Sequence, residues 1–109
     1  MVKKKQKLSR SEFSSLLKKG KRIHGSLYSL MYSFEKDTKL GVVVSKKTAR
    51  KAVERNKLRR KMFVVLKNEL DGLSGVHVAV FTKPVCTTAL LSDLQNEMSD
   101  LLKKVHSKR

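Results

Sequence analysis

Between Lys46 and Lys61 the chain sets nine cations, Lys46, Lys47, Arg50, Lys51, Arg55, Lys57, Arg59, Arg60 and Lys61, against a single acid, Glu54. No Gly or Pro interrupts this run, so a helix is permitted through most of it. At about 100° per residue, Leu58, Met62, Val65, Leu66 and Glu69 fall on one side of that helix. Ala52, Asn56, Arg59, Arg60, Phe63 and Lys67 fall near the opposite side. The first set is mostly apolar and belongs against a core. The second is cationic, broken by one amide and one aromatic. Solvated helix faces usually mix signs to gain i, i+4 pairs. A face this one-sided repels itself unless an external anion neutralises it, and phosphate is the anion that Arg, Lys and Asn together suit best.

The whole chain shares the bias. Its 109 residues fit one small domain, and a formal charge of +17 opposes compaction through self-repulsion. With 39% hydrophobic residues it has enough apolar material for one modest core. A polyanionic partner would relieve the repulsion. One cysteine, Cys86, excludes an internal disulfide. Met1 to Lys5 is basic but no apolar run follows it, which does not read as a secretory signal, and no run approaches the ~18 apolar residues of a membrane span. A soluble, cytoplasmic protein with no membrane partner is the expectation.

Along the chain, residues 1–7 read as a basic arm, mobile until a partner binds. Ser9-Arg10-Ser11-Glu12 has the capping-box pattern and predicts a helix start, with Phe13, Leu16 and Leu17 as its apolar stripe. Gly20 ends this helix after Lys18-Lys19. From 27 to 34 the period becomes two: Tyr28, Leu30, Tyr32 and Phe34 share one face of a strand. A turn over 35–38 leads to a second strand, 40–45, expected to pair with the first as a hairpin. A short strand over 21–24 has no pattern to support it. The basic helix runs to about Leu70 and is broken at Asp71-Gly72. A strand over 76–82 alternates Val76, Val78 and Val80 against His77, Ala79 and Phe81. Thr87 or Thr88 can cap a last helix whose stripe is Leu90, Leu91, Leu94, Met98, Leu101, Leu102 and Val105. The architecture expected is α+β, a two-layer sandwich of a small mixed sheet with three helices, and strand 40–45, helix 52–70 and strand 76–82 form a β-α-β unit. Residues 8–105 form the single domain, and 106–109 fray.

Nothing in the sequence assembles a catalytic group. His24, His77 and His106 sit in different elements without Cys or acid at metal-ligand spacing. Cys86 has no His near it, the nine carboxylates are scattered, and no Gly-rich phosphate loop is present. The expectation is that the protein itself has no catalytic and no metal-ligating residues. Two classes remain: an RNA-binding subunit of a ribonucleoprotein enzyme, and a non-enzymatic RNA-binding protein of ribosomal or chaperone type.

The wording of the basic stretch is more specific than its charge. Leu40-Gly41-Val42-Val43-Val44-Ser45-Lys46-Lys47, followed by Ala52-Val53-Glu54-Arg55-Asn56-Lys57-Leu58-Arg59-Arg60, resembles the bacterial ribonuclease P protein component. In that family a strand ending in Val-Ser-Lys-Lys precedes a helix carrying Arg-Asn-Arg, an apolar residue, then Lys-Arg. The resemblance covers roughly residues 7 to 105 and is strongest from 40 to 60. Lys57 stands where the family has Arg, a point charge replacing a planar fork. Phe63-Val64 stand where the family continues with Arg-Glu. The resemblance implies ribonuclease P RNA and precursor tRNA as partners, with no DNA, and Mg²⁺ bound mainly by the partner RNA. It implies 5′ maturation of tRNA as the activity and a left-handed β-α-β crossover. It assigns Lys46, Lys47, Arg50, Lys51, Arg55, Asn56, Lys57, Arg59 and Arg60 to the catalytic RNA. It also implies a leader-binding cleft between the first helix and the sheet, to which this chain would contribute Phe13, Leu17, Tyr28 and Tyr32.

Overall fold

The capping box forms and opens α1 (Arg10–Lys19). Ser9 Oγ accepts from the Glu12 backbone N–H at 3.2 Å, and Glu12 Oε1 accepts from the Ser9 N–H at 2.9 Å. These bonds satisfy donors that a helix start leaves without intrahelical partners. Gly20 ends the helix in extended conformation. A Cβ there would stand 2.5 Å from the Leu16 carbonyl oxygen and 2.8 Å from Leu16 Cδ1, so close approach, and not a positive φ, demands glycine.

The computed structural model describes residues 6–69 and 72–108. The basic arm through Lys5, the break at Leu70-Asp71 and the terminal Arg109 lie outside the described residues. Four strands form one mixed sheet: β1 (Lys21–His24), β2 (Tyr28–Phe34), β3 (Lys39–Val43) and β4 (Val76–Thr82), in the order β1-β2-β4-β3. β1 is the strand that the hydrophobic pattern did not support. It is an edge strand of four residues with only Ile23 partly buried, and it is held by antiparallel pairing from Lys21↔Tyr32 to His24↔Ser29.

The expected hairpin between β2 and β3 does not form. β4 inserts between them, antiparallel to β2 from Tyr28↔Thr82 to Phe34↔Val76 and parallel to β3 from Lys39↔His77 to Val43↔Phe81. The reason is burial. Val76 to Val80 are buried on both faces, so β4 belongs at the centre of the sheet, where a strand covered on both sides gains most. The segment between β2 and β3 instead closes over the start of β4. Glu35 N–H donates to the Gly75 carbonyl at 2.8 Å, and Gly75 N–H donates to Thr38 Oγ1 at 3.0 Å.

α2 (Ala52–Asn68) and α3 (Leu91–Ser107) cover one face of the sheet. Leu58, Met62, Val65 and Leu66 of α2 are buried, as their spacing predicts. With Leu94, Met98, Leu101, Leu102 and Val105 of α3 they enclose Tyr28, Leu30, Tyr32, Leu40, Val78 and Val80. Leu90 and Leu91, assigned to the stripe by spacing, remain exposed at 67% and 47% because the helix starts only at Leu91. Thr87 and Thr88 do not cap α3. They close a 3₁₀ turn (Pro84–Thr87), where Thr87 Oγ1 donates to the Pro84 carbonyl at 2.8 Å. Cys86 of this turn is a core thiol beside Met62, and burial pushes its pKa up to about 11. Glu97 of α3 fastens the β1–β2 connection. Its carboxylate accepts from the backbone N–H of Ser26 at 2.9 Å, Leu27 at 2.9 Å and Tyr28 at 3.2 Å, and from Ser26 Oγ at 2.6 Å. No helix among the described residues is long and apolar enough to cross a membrane.

α1 lies on the opposite face, where Leu16 packs on Met31 and Ala79. Beside this contact Lys39 Nζ stands 2.7 Å from Glu12 Oε2 and 3.7 Å from Asp37 Oδ2, and His77 Nε2 is 2.8 Å from Asp37 Oδ1. The Lys39 ammonium, helped by the cap bonds of Ser9, holds the Glu12 carboxyl at about 2, below its ordinary 4.5. A carboxylate depressed in the folded state stabilises fully above its unfolded pKa, and that contribution is lost as pH falls toward the folded value. Thermal stability is therefore expected to drop between about pH 4.5 and 2. Lys39→Met should make the drop shallower, and melts across this range that run parallel for parent and variant would show that the Glu12–Lys39 pair contributes nothing.

Candidate nucleic-acid interface

The basic surface starts in the loop that joins β3 to α2. Thr48 is buried and ties this loop to the end of the parallel pair. Its Oγ1 donates to the Thr82 carbonyl at 3.1 Å, while Thr82 Oγ1 donates to the Val43 carbonyl at 3.1 Å. The Thr48 and Ala49 N–H groups both donate to the Ser45 carbonyl at 3.1 Å, which makes the chain turn. Lys46 and Lys47 are left exposed at the tip, followed by exposed Arg50 and Lys51. Lys51 occupies the N-cap of α2 and makes no side-chain cap bond. The first-turn amides and the positive end of the helix dipole thus add to the charge of the loop.

Of the predicted contacts on α2, Asn56, Lys57 and Arg60 are exposed, on the side away from the buried stripe. Two of the predicted contacts are already engaged within the protein. Arg55 Nη1 donates to the carbonyls of Ala49 at 3.1 Å and Arg50 at 2.6 Å. It therefore clamps the loop onto the helix in addition to adding charge. Arg59 Nη1 donates to Asn56 Oδ1 at 2.8 Å, which pre-orients both groups. Ion pairs among the described residues join Lys19 to Glu35, Lys39 to Glu12 and Asp37, and His77 to Asp37; none reaches the cations of 46–61. Among the described residues this face has no carboxylate partner.

The second predicted set does not come together. Phe13 is half-buried and Leu17 is 48% exposed, both on α1. Tyr28 and Tyr32 lie on the other face of the sheet, 0% and 3% exposed, in the core under α2 and α3. The Tyr28 hydroxyl donates to the Leu94 carbonyl at 2.5 Å, and burial pushes its ionisation far above the ordinary phenol range. Neither tyrosine can line a cleft with Phe13. Other side chains stand beside α1 on its own face of the sheet. The Phe81 ring lies 6.0 Å from that of Phe13, and the Arg22 guanidinium stands 4.9 Å over Phe81. The alternation of β4 had already set Phe81 opposite the valines. Which sheet face would meet α1 was the missing information.

One cluster has no counterpart in the sequence pattern. Ligand atoms of Glu12, Asp37 and His77 come within 4.8 Å of one another. The Lys39 ammonium already supplies the positive charge between the two acids, so the group is an ion-pair network joining α1 to the sheet.

Comparison with known proteins agrees with this geometry. A profile of the family described as Ribonuclease P matches residues 1–106. The chain is 29% identical over 99 residues to the ribonuclease P protein component of a Pseudanabaena species, covering 87% of this chain and 85% of the relative. It is 28% identical over 101 residues to that of a Nitratiruptor species, covering 93% and 92%. The fold is similar to that of the RNase P protein from Thermotoga maritima, with a TM-score of 0.79 at 22% identity over 90% of this chain and 96% of the other. It is also similar to that of the Staphylococcus aureus RNase P protein, with a TM-score of 0.77 at 22% identity over 90% and 92%. The family match spans the sheet, all three helices and the basic loop together, and the chain belongs to the ribonuclease P protein family.

Proposed function

We propose that the loop 45–51 and the exposed side of α2 dock ribonuclease P RNA, and that the chain, as a protein subunit of this ribonucleoprotein endoribonuclease, assists removal of the 5′ leader from precursor tRNA. One observation carries the reading: among the described residues, the cations of the loop before α2 and of the exposed side of α2 stand without carboxylate partners. Family membership favours this over a ribosomal or chaperone role.

Cleavage is assigned to the RNA and to the Mg²⁺ that the RNA binds. The protein lowers repulsion between the catalytic RNA and its substrate. The leader of precursor tRNA is assigned to the surface beside α1, where Phe13, Leu17 and Phe81 offer apolar and aromatic side chains and Arg22 a cation. Single-stranded RNA is held by this combination of stacking and charge. The cytoplasm, where tRNA matures, is the compartment this role requires.

Changing Arg59 and Arg60 together to Ala is expected to weaken binding of ribonuclease P RNA and to flatten its salt dependence. Each neutralised phosphate contributes about 0.7 to 0.9 to the log-log slope, so the double variant should lose roughly 1 to 2 units. An unchanged slope in a folded double variant would place the RNA elsewhere.

A further inference from the structure

The RNA face ends in a notch that charge alone does not explain. Lys7, Arg59, Arg60, Phe63 and Val64 line a cavity of about 310 Å³. Its floor is apolar. Phe63 is half-buried and packs against the main core, which fixes its ring, and Val64 beside it is 47% exposed. Its rim is cationic. Lys7 Nζ lies 5.0 Å from the centroid of the Phe63 ring, and Arg59 and Arg60 stand one turn before Phe63 and Val64 on the same helix. Among the described residues no carboxylate pairs with any of these three cations.

We propose that this notch takes one unpaired nucleobase of the bound RNA, with Phe63 as its stacking platform and Lys7, Arg59 and Arg60 on the flanking phosphates. The inference rests on the RNA-docking reading and adds a base contact to a face so far described by charge. Two properties of the notch select this occupant. An aliphatic or aromatic side chain of a protein partner would match the floor and leave three cations unmatched. A nucleotide matches both parts at once, since every base has an apolar π face and carries phosphate on either side. Lys7 now covers the ring from an exposed position. A base entering the notch displaces its ammonium from the ring toward the phosphate. An exposed cation–π contact is weak enough to be exchanged in this way.

The experiment measures binding of ribonuclease P RNA to the full chain carrying Phe63→Leu or Phe63→Trp. Leucine keeps apolar packing and removes the π face; tryptophan enlarges it. Phe63→Leu is expected to weaken binding by about 5- to 150-fold, the loss of one base stack, while the salt slope stays that of the parent because no charge has changed. Phe63→Trp is expected to bind within a few-fold of the parent. Parental affinity in a folded Phe63→Leu protein overturns the proposal, as does an equal loss in both variants, which would assign Phe63 to packing alone. A fluorine label on the Phe63 ring of the otherwise unaltered protein keeps the test independent of folding. Its resonance is expected to shift when the RNA is added, and an unmoved resonance overturns the proposal. If the Arg59 and Arg60 double variant loses affinity while Phe63→Leu keeps it, the RNA face stands and the base site falls.

Discussion

Truncating Leu66 to Ala is expected to cost about 2 to 5 kcal/mol of folding stability, the range for a large-to-small change at a site that cannot collapse. Leu66 is fully buried, with Val65 and Met62 of its own helix, in the core that α2 and α3 form over the sheet. A chain of this length loses ~4 to 8 °C of melting temperature per kcal/mol. The loss falls on a molecule whose charge of +17 already works against the compact state. Much of the variant should therefore be unfolded at moderate temperature and low salt. Ribonuclease P RNA should reverse part of the effect, because a ligand that binds only the folded state at 100 times its dissociation constant adds about 2.7 kcal/mol. Melts followed by circular dichroism, with and without the RNA, check both statements. A Leu66→Ala protein that melts with the parent would remove the α2 stripe from the core, and with it the reason that the opposite side faces outward.

Local signals in the sequence were reliable where one element decided the outcome. The Ser9–Glu12 box forms bond for bond, Gly20 stops α1, and the four apolar residues of α2 are all buried. Strand pairing was different, because it depends on which strand gains most from the centre of the sheet. A four-residue connection between β2 and β3 permits a hairpin, yet β4, buried from Val76 to Val80, takes the place between them. β1 left no periodic trace because its contribution is edge hydrogen bonding with little burial.

The candidate site divides in the same way. Charge and exposure on α2 could be read from composition and spacing. The clamp from Arg55 to the carbonyls of Ala49 and Arg50 could not, since it exists only once the loop has folded back. Period two separated the faces of β2, but the sequence did not say which helix each face would meet. The long stripes of α2 and α3 claim the tyrosine face, and the short stripe of α1 is left with Met31 and Ala79. Tyr28 and Tyr32 therefore belong to the core, and Phe81 and Arg22 stand beside α1 in their place.

In the proposed division of labour this chain supplies RNA affinity and the RNA supplies the cleavage. The most direct test mixes rigorously RNA-free protein with ribonuclease P RNA and precursor tRNA at a Mg²⁺ concentration too low for the RNA to act well alone. The 5′ leader should be released at least about tenfold faster from the mixture than from RNA without protein, equivalent to ~1.4 kcal/mol of barrier, and not at all by the protein alone. Leader removal by the protein without RNA, or a mixture no faster than the RNA by itself, would contradict it.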